Sequence, residues 1–482
     1  MDKTRTSTFA DIRKGFRLFC TSILNSLKTR TLLGIPKWIF YTIFLLFFIT
    51  SDYILDNVNF YTTIILFIVL ALCYFLFSFP FRKLFKKKAS FAERFSPFIN
   101  FPFLIAVLFS ICAIASYVAN RNYGHFYGYL GIMMYVVIGY LFSACFSFNE
   151  FCSAYRHFFP FLCLLSLLVF LSSRIAGIVP KSFIFYENYS VRYSFFFFDS
   201  FLQHYISKNQ AVFWEPGIFA SFILIGLIIE LFFNKEKTNW FYVLIEVIAL
   251  ITTKSLAGYL LFLPLIVCWV AQKNNSRWVQ VLCITIFLAF FSSILFFNEL
   301  QSFFFKFFPA LYEKGSSLTT RLLSLPIDFE VWKTSPLFGV GTEHFYQIVP
   351  ELAAGKYSGV FDASVSTTGY YIAVFGLVGF VLFFAYLAGI LSMRGQKIAV
   401  RIGLLLISFI IINKETHIDD TIFWSLFFYL ADRSINDALF HWNAKHGGFG
   451  IDSLRAFRFN SFDEDNSAFT GESIHATTIK TK

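Results

Sequence analysis

Charged residues are scarce in this 482-residue chain, because only 14% are Asp, Glu, Lys or Arg. A soluble protein of this length would carry roughly 25%. Hydrophobic residues make up 57% of the chain and include 71 Phe. Apolar stretches of about 20 residues, the length that an α-helix needs to cross a bilayer, recur along the whole chain. The scarcity of charge excludes a soluble globular protein and predicts a polytopic integral membrane protein.

Cysteine pairs and metal-ligand patterns are also missing. The eight cysteines lie in predicted spans or on the predicted cytoplasmic side, so no disulfide framework is expected outside the membrane. No CxxC pair and no His/Cys cluster has the spacing of a metal site, so we expect neither a metal nor a cofactor. The first 37 residues are polar and basic, which argues against a cleavable signal peptide.

The apolar stretches predict an all-α fold with about twelve transmembrane helices. They lie near residues 37–55, 60–79, 98–119, 127–148, 157–173, 216–233, 240–253, 255–271, 278–297, 370–393, 398–413 and 418–433.

The net charge of +11 is concentrated in two segments. Residues 1–37 carry +6 and residues 80–97 carry +5, which together account for the whole net charge. Twelve spans place both segments on the same side of the membrane, which predicts that both termini are cytoplasmic. The basic segments are therefore topology signals and contacts for anionic membrane lipid, and nucleic acid is not expected as a partner.

The predicted spans divide the chain into three parts, with no internal repeat. Residues 1–36 form a basic cytoplasmic segment, residues 37–433 a membrane domain, and residues 434–482 a polar cytoplasmic tail that we expect to be disordered. Two long loops are predicted on the external side, at about 174–214 and 298–369, the second between spans nine and ten. A loop of about seventy residues is too long for a simple connector and is expected to be functional.

The larger loop is predicted to be partly helical. The stretch "SFFFKFFPALYE" is amphipathic and suits the lipid–water interface on the external side of the membrane. The stretch "TTRLLSLPIDFEVWKTSP" predicts a helix broken at Pro326 or ending at Pro336. A glycine turn, "LFGVGTEHF", follows it.

One carboxylate stands at the outer end of the sixth span, in the stretch "AVFWEPGIFASF". Pro216 suits the first position of a helix because no amide is needed there. Glu215 then lies at the helix cap, where a carboxylate meets free amides and the positive end of the helix dipole. Capping is one role for Glu215, and a functional role is the other.

Cations on the same predicted face favour the functional role. Arg192 lies in the first external loop, Arg321 in the second, and Lys254 in the turn between spans seven and eight. The short turn between spans eleven and twelve, "NKETHIDD", contains Lys414, Glu415, His417, Asp419 and Asp420. Converging cations beside a carboxylate at a helix start indicate a site for an anionic amphiphile. We expect Arg192, Arg321 and Lys254 to bind pyrophosphate, and Glu215 to accept a hydroxyl proton or to orient an arginine.

These stretches resemble the O-antigen polymerase and O-antigen ligase superfamily of bacterial inner-membrane enzymes. The resemblance covers roughly residues 190–395 and is carried by "FWEPGIFASF" after Arg192, by "TTRLLSLPIDFEVWKTSPLFGVGTEHF" and by "YYIAVFGLVGF". Many members carry a His shortly before the glycine that corresponds to Gly376, whereas Val365 stands there in this chain. That departure favours a polymerase over a ligase, and it leaves His344 and His417 as candidate bases beside Glu215.

The resemblance implies a metal-independent glycosyltransferase acting on the periplasmic face. It would join oligosaccharide repeat units carried on undecaprenyl pyrophosphate into O-antigen or a similar polysaccharide, with a chain-length regulator and a flippase as further partners. The alternatives are an O-antigen ligase that transfers the glycan to lipid A-core, a lipid-linked oligosaccharide flippase or other transporter, and a sensor or structural membrane protein. Transporters usually show two related halves and small external loops, and this chain shows neither.

Overall fold

The computed structural model describes most of the membrane domain. The described residues are 37–49, 56–78, 101–120, 126–175, 182–186, 189–194, 197–200, 208–213, 215–234, 237–295, 317–356, 365–393, 396–415, 417 and 420–432. The predictions for residues 1–36, 434–482 and the amphipathic stretch "SFFFKFFPALYE" lie outside them.

Five helices form the first part of the bundle. They are α1 (Lys37–Ile49), α2 (Asp56–Cys73, continued by a π-helical turn, Tyr74–Ser78), α3 (Phe101–Ala119), α4 (Phe126–Cys145) and α5 (Phe148–Ile175). Helix α5 begins well before its predicted span because Ser147 and Glu150 form a capping box. The Glu150 carboxylate accepts the Ser147 amide at 2.9 Å, and the Ser147 hydroxyl accepts the Glu150 amide at 3.3 Å.

Four more helices follow the first external loop. They are α6 (Pro216–Ile228, continued by a π-helical turn, Ile229–Phe233), α7 (Trp240–Thr253), α8 (Leu256–Lys273) and α9 (Arg277–Leu295). Helix α6 is the central one, since 83% of its apolar stretch is buried inside the protein, and it packs against α5, α7 and α8.

The larger loop contains α10 (Ser317–Thr334) and α11 (Thr342–Lys356), so it is partly helical as predicted. Helix α10 runs through Pro326 and ends just before Pro336. The last helices are α12 (Thr367–Phe375), α13 (Leu377–Leu391), α14 (Ile398–Lys414) and α15 (Thr421–Asp432).

The helical membrane fold predicted from composition is confirmed, but the count of twelve spans is not. Within the described ranges, five helices are long and apolar enough to cross a membrane, and five more apolar helices are shorter. The predicted tenth span is two helices, because Gly376 ends α12 with φ 65° and begins α13. A positive φ of this kind favours glycine.

A small antiparallel sheet lies in the long loop between α5 and α6, which sequence analysis did not predict. Its strands are β1 (Ser182–Tyr186), β2 (Tyr189–Ser194) and β3 (Phe197–Ser200), in that spatial order. The stretch is rich in Phe, Tyr and Val, which fit pleated strands. The sheet lies outside the predicted spans, so the membrane-crossing segments remain helical.

The glycine turn after α10 is packed against the break between α12 and α13. Gly339 has φ 70°, and a Cβ at that position would overlap the Val374 carbonyl. The Val340 amide donates to the Ala373 carbonyl at 2.9 Å, and the Leu377 amide to the Leu337 carbonyl at 3.3 Å. The loop helices are therefore fixed to the membrane helices by backbone contact.

A second junction joins the start of α12 to the end of α14. The Ser366 hydroxyl donates to Asn413 Oδ1 at 2.7 Å and accepts the Gly369 amide at 3.0 Å, which caps α12. The Thr368 amide also donates to Asn413 Oδ1, at 3.2 Å. Since α10 packs on α12, this junction brings α10 beside the end of α14.

Candidate active site

Glu215 lies at the start of α6 in extended backbone, with φ −132° and ψ 145°. Its side chain makes no capping hydrogen bond to the helix. Instead, its Oε2 lies 3.4 Å from the Nη2 of Arg321, which is 106 residues away in sequence on α10. Of the two roles considered for Glu215, the structure therefore contains the contact with an arginine and not the helix cap.

Arg321 is the centre of this arrangement. Its Nη2 donates to Glu415 Oε1 at 2.5 Å, and its Nε donates to the Lys414 carbonyl at 2.7 Å. Lys414 is the last residue of α14, and Glu415 follows it directly. One guanidinium thus joins the start of α6 to the end of α14 and holds a carboxylate from each.

Gly217 leaves the space that the Glu415 carboxylate occupies. A Cβ on Gly217 would overlap Glu415 Oε1 and approach Arg321 Nη2 to 3.7 Å. The Gly217 carbonyl accepts a hydrogen bond from Lys414 Nζ at 2.6 Å. Each position of the Glu-Pro-Gly sequence therefore has a function here: Glu215 meets the arginine, Pro216 starts the helix, and Gly217 admits the carboxylate and the lysine.

Glu215, Arg321, Lys414 and Glu415 are referred to below as the charged cluster. Lys414 and Glu415 are each only 4% exposed, so their charges are compensated mainly inside the protein. Burial of the Glu215 carboxyl and the nearby Glu415 carboxylate raise the pKa of Glu215 to about 7, although Arg321 and Lys414 act in the opposite direction. Glu215 can therefore bind or release a proton near neutral pH.

Lys414 and Glu415 are the members of the cluster that sequence analysis did not assign to a site. The density of charge in the short "NKETHIDD" turn was the available signal. The turn was noted as part of the charged face, but its pairing with Arg321 and Gly217, 94 and 197 positions away, depends on how the helices pack.

His417 lies close to the cluster but is buried, with 3% of its surface exposed. Its Nδ1 is 3.3 Å from Asp420 Oδ2, and its ring packs between those of Phe222 and Phe423. The His417 amide donates to Thr367 Oγ1 at 2.8 Å, and that hydroxyl donates to the Glu415 carbonyl at 3.1 Å. His417 is thus linked to the cluster through the backbone, while its ring pairs with Asp420.

The other predicted site residues lie elsewhere. His344 is exposed in the first turn of α11, and Lys254 is exposed at the end of α7 with φ 51°. Arg192 lies on β2, opposite Phe183 on β1 and Asp199 on β3. Among the described residues, Glu215, Arg321, Lys414 and Glu415 contact one another and not His344 or Lys254. The assignments of Arg192, Lys254 and His344 to the site stay predictions.

An apolar groove of about 530 Å³ opens beside the cluster, between α10, α12, α13 and α14. Its walls are almost entirely aliphatic and aromatic, formed by Leu325, Pro326, Phe329, Glu330, Thr368, Ile372, Phe380, Phe383, Phe384, Leu387 and Phe409. Leu325 is four residues after Arg321 on α10, so the groove begins about one helical turn from the guanidinium. An anionic group and an apolar chain attached to it could be held at neighbouring positions.

A metal-ligand cluster is a separate question. Within the residues that the structure describes, no group of three or more His, Cys, Asp or Glu side chains is arranged to hold a metal ion. The prediction of metal-independent chemistry stays a prediction.

The comparison with known families gives one match. Residues 241–384 match the family described as O-Antigen ligase, and no curated protein matches the chain. The matched region contains Arg321, the glycine turn and the α12–α13 break, while Glu215, Lys414 and Glu415 lie on either side of it. The apolar helices and this match indicate a bacterial membrane protein. The resemblance inferred from the sequence is confirmed to this extent: residues 241–384, less than half of the chain, are similar to the O-antigen ligase family.

Proposed function

We propose that this protein is a membrane glycosyltransferase that polymerises repeat units carried on undecaprenyl pyrophosphate, on the periplasmic face of the inner membrane. The observation that carries the proposal is the position of the charged cluster next to the apolar groove. A lipid-linked sugar has the same layout, since an isoprenoid tail is joined to an anionic pyrophosphate and then to a glycan.

Arg321 is the first residue to which we assign a role. About one fifth of its side chain is exposed, while its Nη2 and Nε are held by Glu415 and the Lys414 carbonyl. Arginine donates two hydrogen bonds in a planar fork that matches phosphate oxygens. Fixed donors that stabilise the charge developing on a leaving group are a major source of rate enhancement. Arg321 would bind the pyrophosphate and stabilise it as it departs.

The carboxylate pair supplies the base. In the proposed reaction, a hydroxyl of the acceptor glycan attacks the anomeric carbon of the donor. A new carbon–oxygen bond forms, the bond to the pyrophosphate oxygen breaks, and its electron pair leaves with undecaprenyl pyrophosphate. The hydroxyl proton passes to Glu215, whose pKa of about 7 suits a base that works near neutral pH.

A ligase is the second candidate, and the description of the matched family favours it. The absence of the histidine that many members carry favours a polymerase, because the corresponding position is Val365. The Val365 amide donates to the Ser324 hydroxyl at 3.1 Å. The backbone of Val365 therefore helps to hold the start of α12 against α10. Arg192, Lys254 and His344 remain candidate contacts of the substrate, and His417 a candidate base.

The test is the glycan phenotype of a deletion strain complemented with the wild-type chain. Loss of long chains, with a single repeat unit still attached to the lipid A-core, supports polymerase. Accumulation of unattached, lipid-linked polymer supports ligase. Unchanged surface glycan would contradict both functions.

A further inference from the structure

The two carboxylates that meet Arg321 hold the same nitrogen unequally. Glu415 Oε1 is 2.5 Å from Arg321 Nη2, whereas Glu215 Oε2 is 3.4 Å from it. The Glu415 side chain is 5% exposed, and the Glu215 side chain is 17% exposed. A terminal guanidinium nitrogen carries two hydrogens, so it can donate to both oxygens at once. Glu415 is therefore the closely held partner of Arg321, and Glu215 is the more distant and more accessible one.

The Glu215 side chain is not needed to start the helix that it precedes. Its backbone is extended, and its side chain makes no capping hydrogen bond to α6. Glu415 is held more firmly, because its carbonyl accepts Thr367 Oγ1 at 3.1 Å and its side chain fills the space beside Gly217. Glu215 can therefore turn away from Arg321 without disturbing the first turn of α6.

The charges that act on Glu215 belong to the charged cluster. Arg321 on α10 and Lys414 at the end of α14 favour its ionised form. Glu415 favours its protonated form, both by charge and by a hydrogen bond between the two carboxyl groups. The other elements packed on α6 contact it farther along, through Phe213, Gly258, Tyr155 and Glu246. The one carboxyl group among these meets α6 at Gly226, about 16 Å along the helix from Glu215, so the cluster alone sets the charge around Glu215.

The proposed glycosyl transfer changes two charges at this site by equal and opposite amounts. The acceptor O–H bond breaks and its proton passes to Glu215, which loses its negative charge. The bond from the anomeric carbon to the pyrophosphate oxygen breaks, and its electron pair gives the departing undecaprenyl pyrophosphate one more negative charge. The donor therefore matches a cluster with ionised Glu215, and the product matches a cluster with protonated Glu215.

We propose that Glu215 and the product pyrophosphate compete for Arg321, so that release of undecaprenyl pyrophosphate is linked to loss of the proton from Glu215. This inference rests on the proposed function, in which Glu215 takes the acceptor proton. Once protonated, Glu215 donates a hydrogen bond to Glu415 and leaves the second hydrogen of Arg321 Nη2 to the pyrophosphate. When the proton passes to water, the Glu215 carboxylate returns to Arg321 and displaces the product.

The first experiment measures binding of undecaprenyl pyrophosphate to purified protein in detergent, and it needs no glycosyl transfer. Glu215→Gln represents the protonated residue, since it keeps the shape and removes the charge. We expect this variant to bind the lipid at least about tenfold more tightly than wild type at pH 8.5, and about equally at pH 5.5, because the two values lie on either side of the Glu215 pKa of about 7. Titration of the lipid's own phosphate affects both proteins alike, so the ratio of their dissociation constants reports on Glu215.

The same experiment contains its control and its contrary result. Glu351 is exposed on α11, so Glu351→Gln changes the net charge equally and should bind as wild type does at both pH values. A merely structural Glu215 would change the melting temperature of its variant but would not make the ratio depend on pH. A ratio that stays constant between pH 5.5 and 8.5, or weaker binding by Glu215→Gln at pH 8.5, would overturn the proposal.

The second experiment uses the wild-type protein and does not depend on the folding of a variant. Calorimetric titration with undecaprenyl pyrophosphate at pH 8, in two buffers of different ionisation enthalpy, gives the number of protons taken up on binding. We expect uptake of at least about half a proton per bound lipid, because Glu215 is mostly ionised before binding and protonated after it. Binding without proton uptake would overturn the proposal.

These measurements also separate the inference from the proposed function. If folded wild-type protein binds undecaprenyl pyrophosphate without proton uptake, the competition is wrong and the proposed function stands. If folded wild-type protein binds none of this lipid at any pH, the proposed function fails and the inference fails with it.

Discussion

The Nη2 of Arg321 lies 3.4 Å from Glu215 Oε2 and 2.5 Å from Glu415 Oε1, so a single guanidinium nitrogen is shared by two carboxylates from different helices. The arrangement ties α10, in the long loop between α9 and α12, to two membrane helices. Two carboxylates also balance the positive charge of Arg321. An incoming pyrophosphate must displace these carboxylates or share the guanidinium with them.

Removal of the arginine is expected to damage both stability and activity. Arg321→Ala leaves the buried Glu415 carboxylate without its partner, which costs about 3 kcal/mol of unfolding free energy. Turnover should fall about 10²–10³-fold through loss of a donor to the leaving group. Arg321→Lys should recover less than a tenth of wild-type turnover if the planar fork is needed. The measurement is polymer formed per folded molecule.

A matched control lies on the same helix. Lys333 pairs with Glu330 at 2.9 Å, but both side chains are exposed. Lys333→Ala should change the unfolding free energy by less than about 0.5 kcal/mol and leave turnover within twofold of wild type. Full activity in Arg321→Ala would remove Arg321 from the site.

Gly217 offers a test of the geometry that does not remove a charge. In Gly217→Ala the new methyl group overlaps the Glu415 carboxylate, so the cluster must open. We expect turnover to fall at least tenfold and the melting temperature to decrease. Gly131→Ala is the control, since nothing lies within 4 Å of its Cβ position and alanine is favoured in a helix by about 1 kcal/mol. Equal effects of the two substitutions would mean that Gly217 has no special role.

The titration of Glu215 predicts opposite effects of pH on turnover and on stability. Because the base must be ionised, turnover should fall as pH decreases through about 7. The raised pKa means that the folded protein binds the proton more tightly than the unfolded chain does. Stability from Glu215 is therefore present at low pH and lost as pH rises through about 7.

Glu215→Gln separates these effects. The variant should lose about 10²–10⁴-fold in turnover and should melt at a higher temperature than wild type at pH 8, but not at pH 4. Turnover within threefold of wild type, normalised to folded protein, would leave Glu215 with a structural role. The search for a base would then move to His417 and His344.

The predicted orientation can be checked with reporter fusions. Fusions after residues 90 and 440 should score cytoplasmic, because the positive charge of the chain is concentrated before residue 98. Fusions near residues 200 and 345 should score periplasmic. A cytoplasmic score near residue 345 would place the charged cluster on the wrong side for a polymerase.

The fold was predictable where it depends on local composition. Apolar stretches located the helices, and Pro216 marked the start of α6 correctly. The break at Gly376 was not predicted, because the apolar run around this glycine is continuous in the sequence. The positive φ angle at which Gly376 ends α12 is visible only in the structure. The sheet after α5 was missed for a related reason, since aromatic residues suit strands and membrane helices alike.

The site was only partly predictable. Glu215 and Arg321 were both identified from their positions at the predicted membrane surface, and the structure brings them into contact. Lys414 and Glu415 were noted but not assigned, because only the packing of α10 against the end of α14 shows that they contact Arg321. Lys254 was expected in the turn between spans seven and eight, and it lies there, exposed at the end of α7.

The central claim is that the charged cluster joins lipid-linked repeat units, and it is tested most directly with purified protein in proteoliposomes. Wild-type protein given undecaprenyl-pyrophosphate repeat units should produce a ladder of longer chains and release one undecaprenyl pyrophosphate per bond formed, while Arg321→Ala and Glu215→Gln should produce almost none. Polymer formation by both variants at the wild-type rate, or no polymer from folded wild-type protein, would contradict the account.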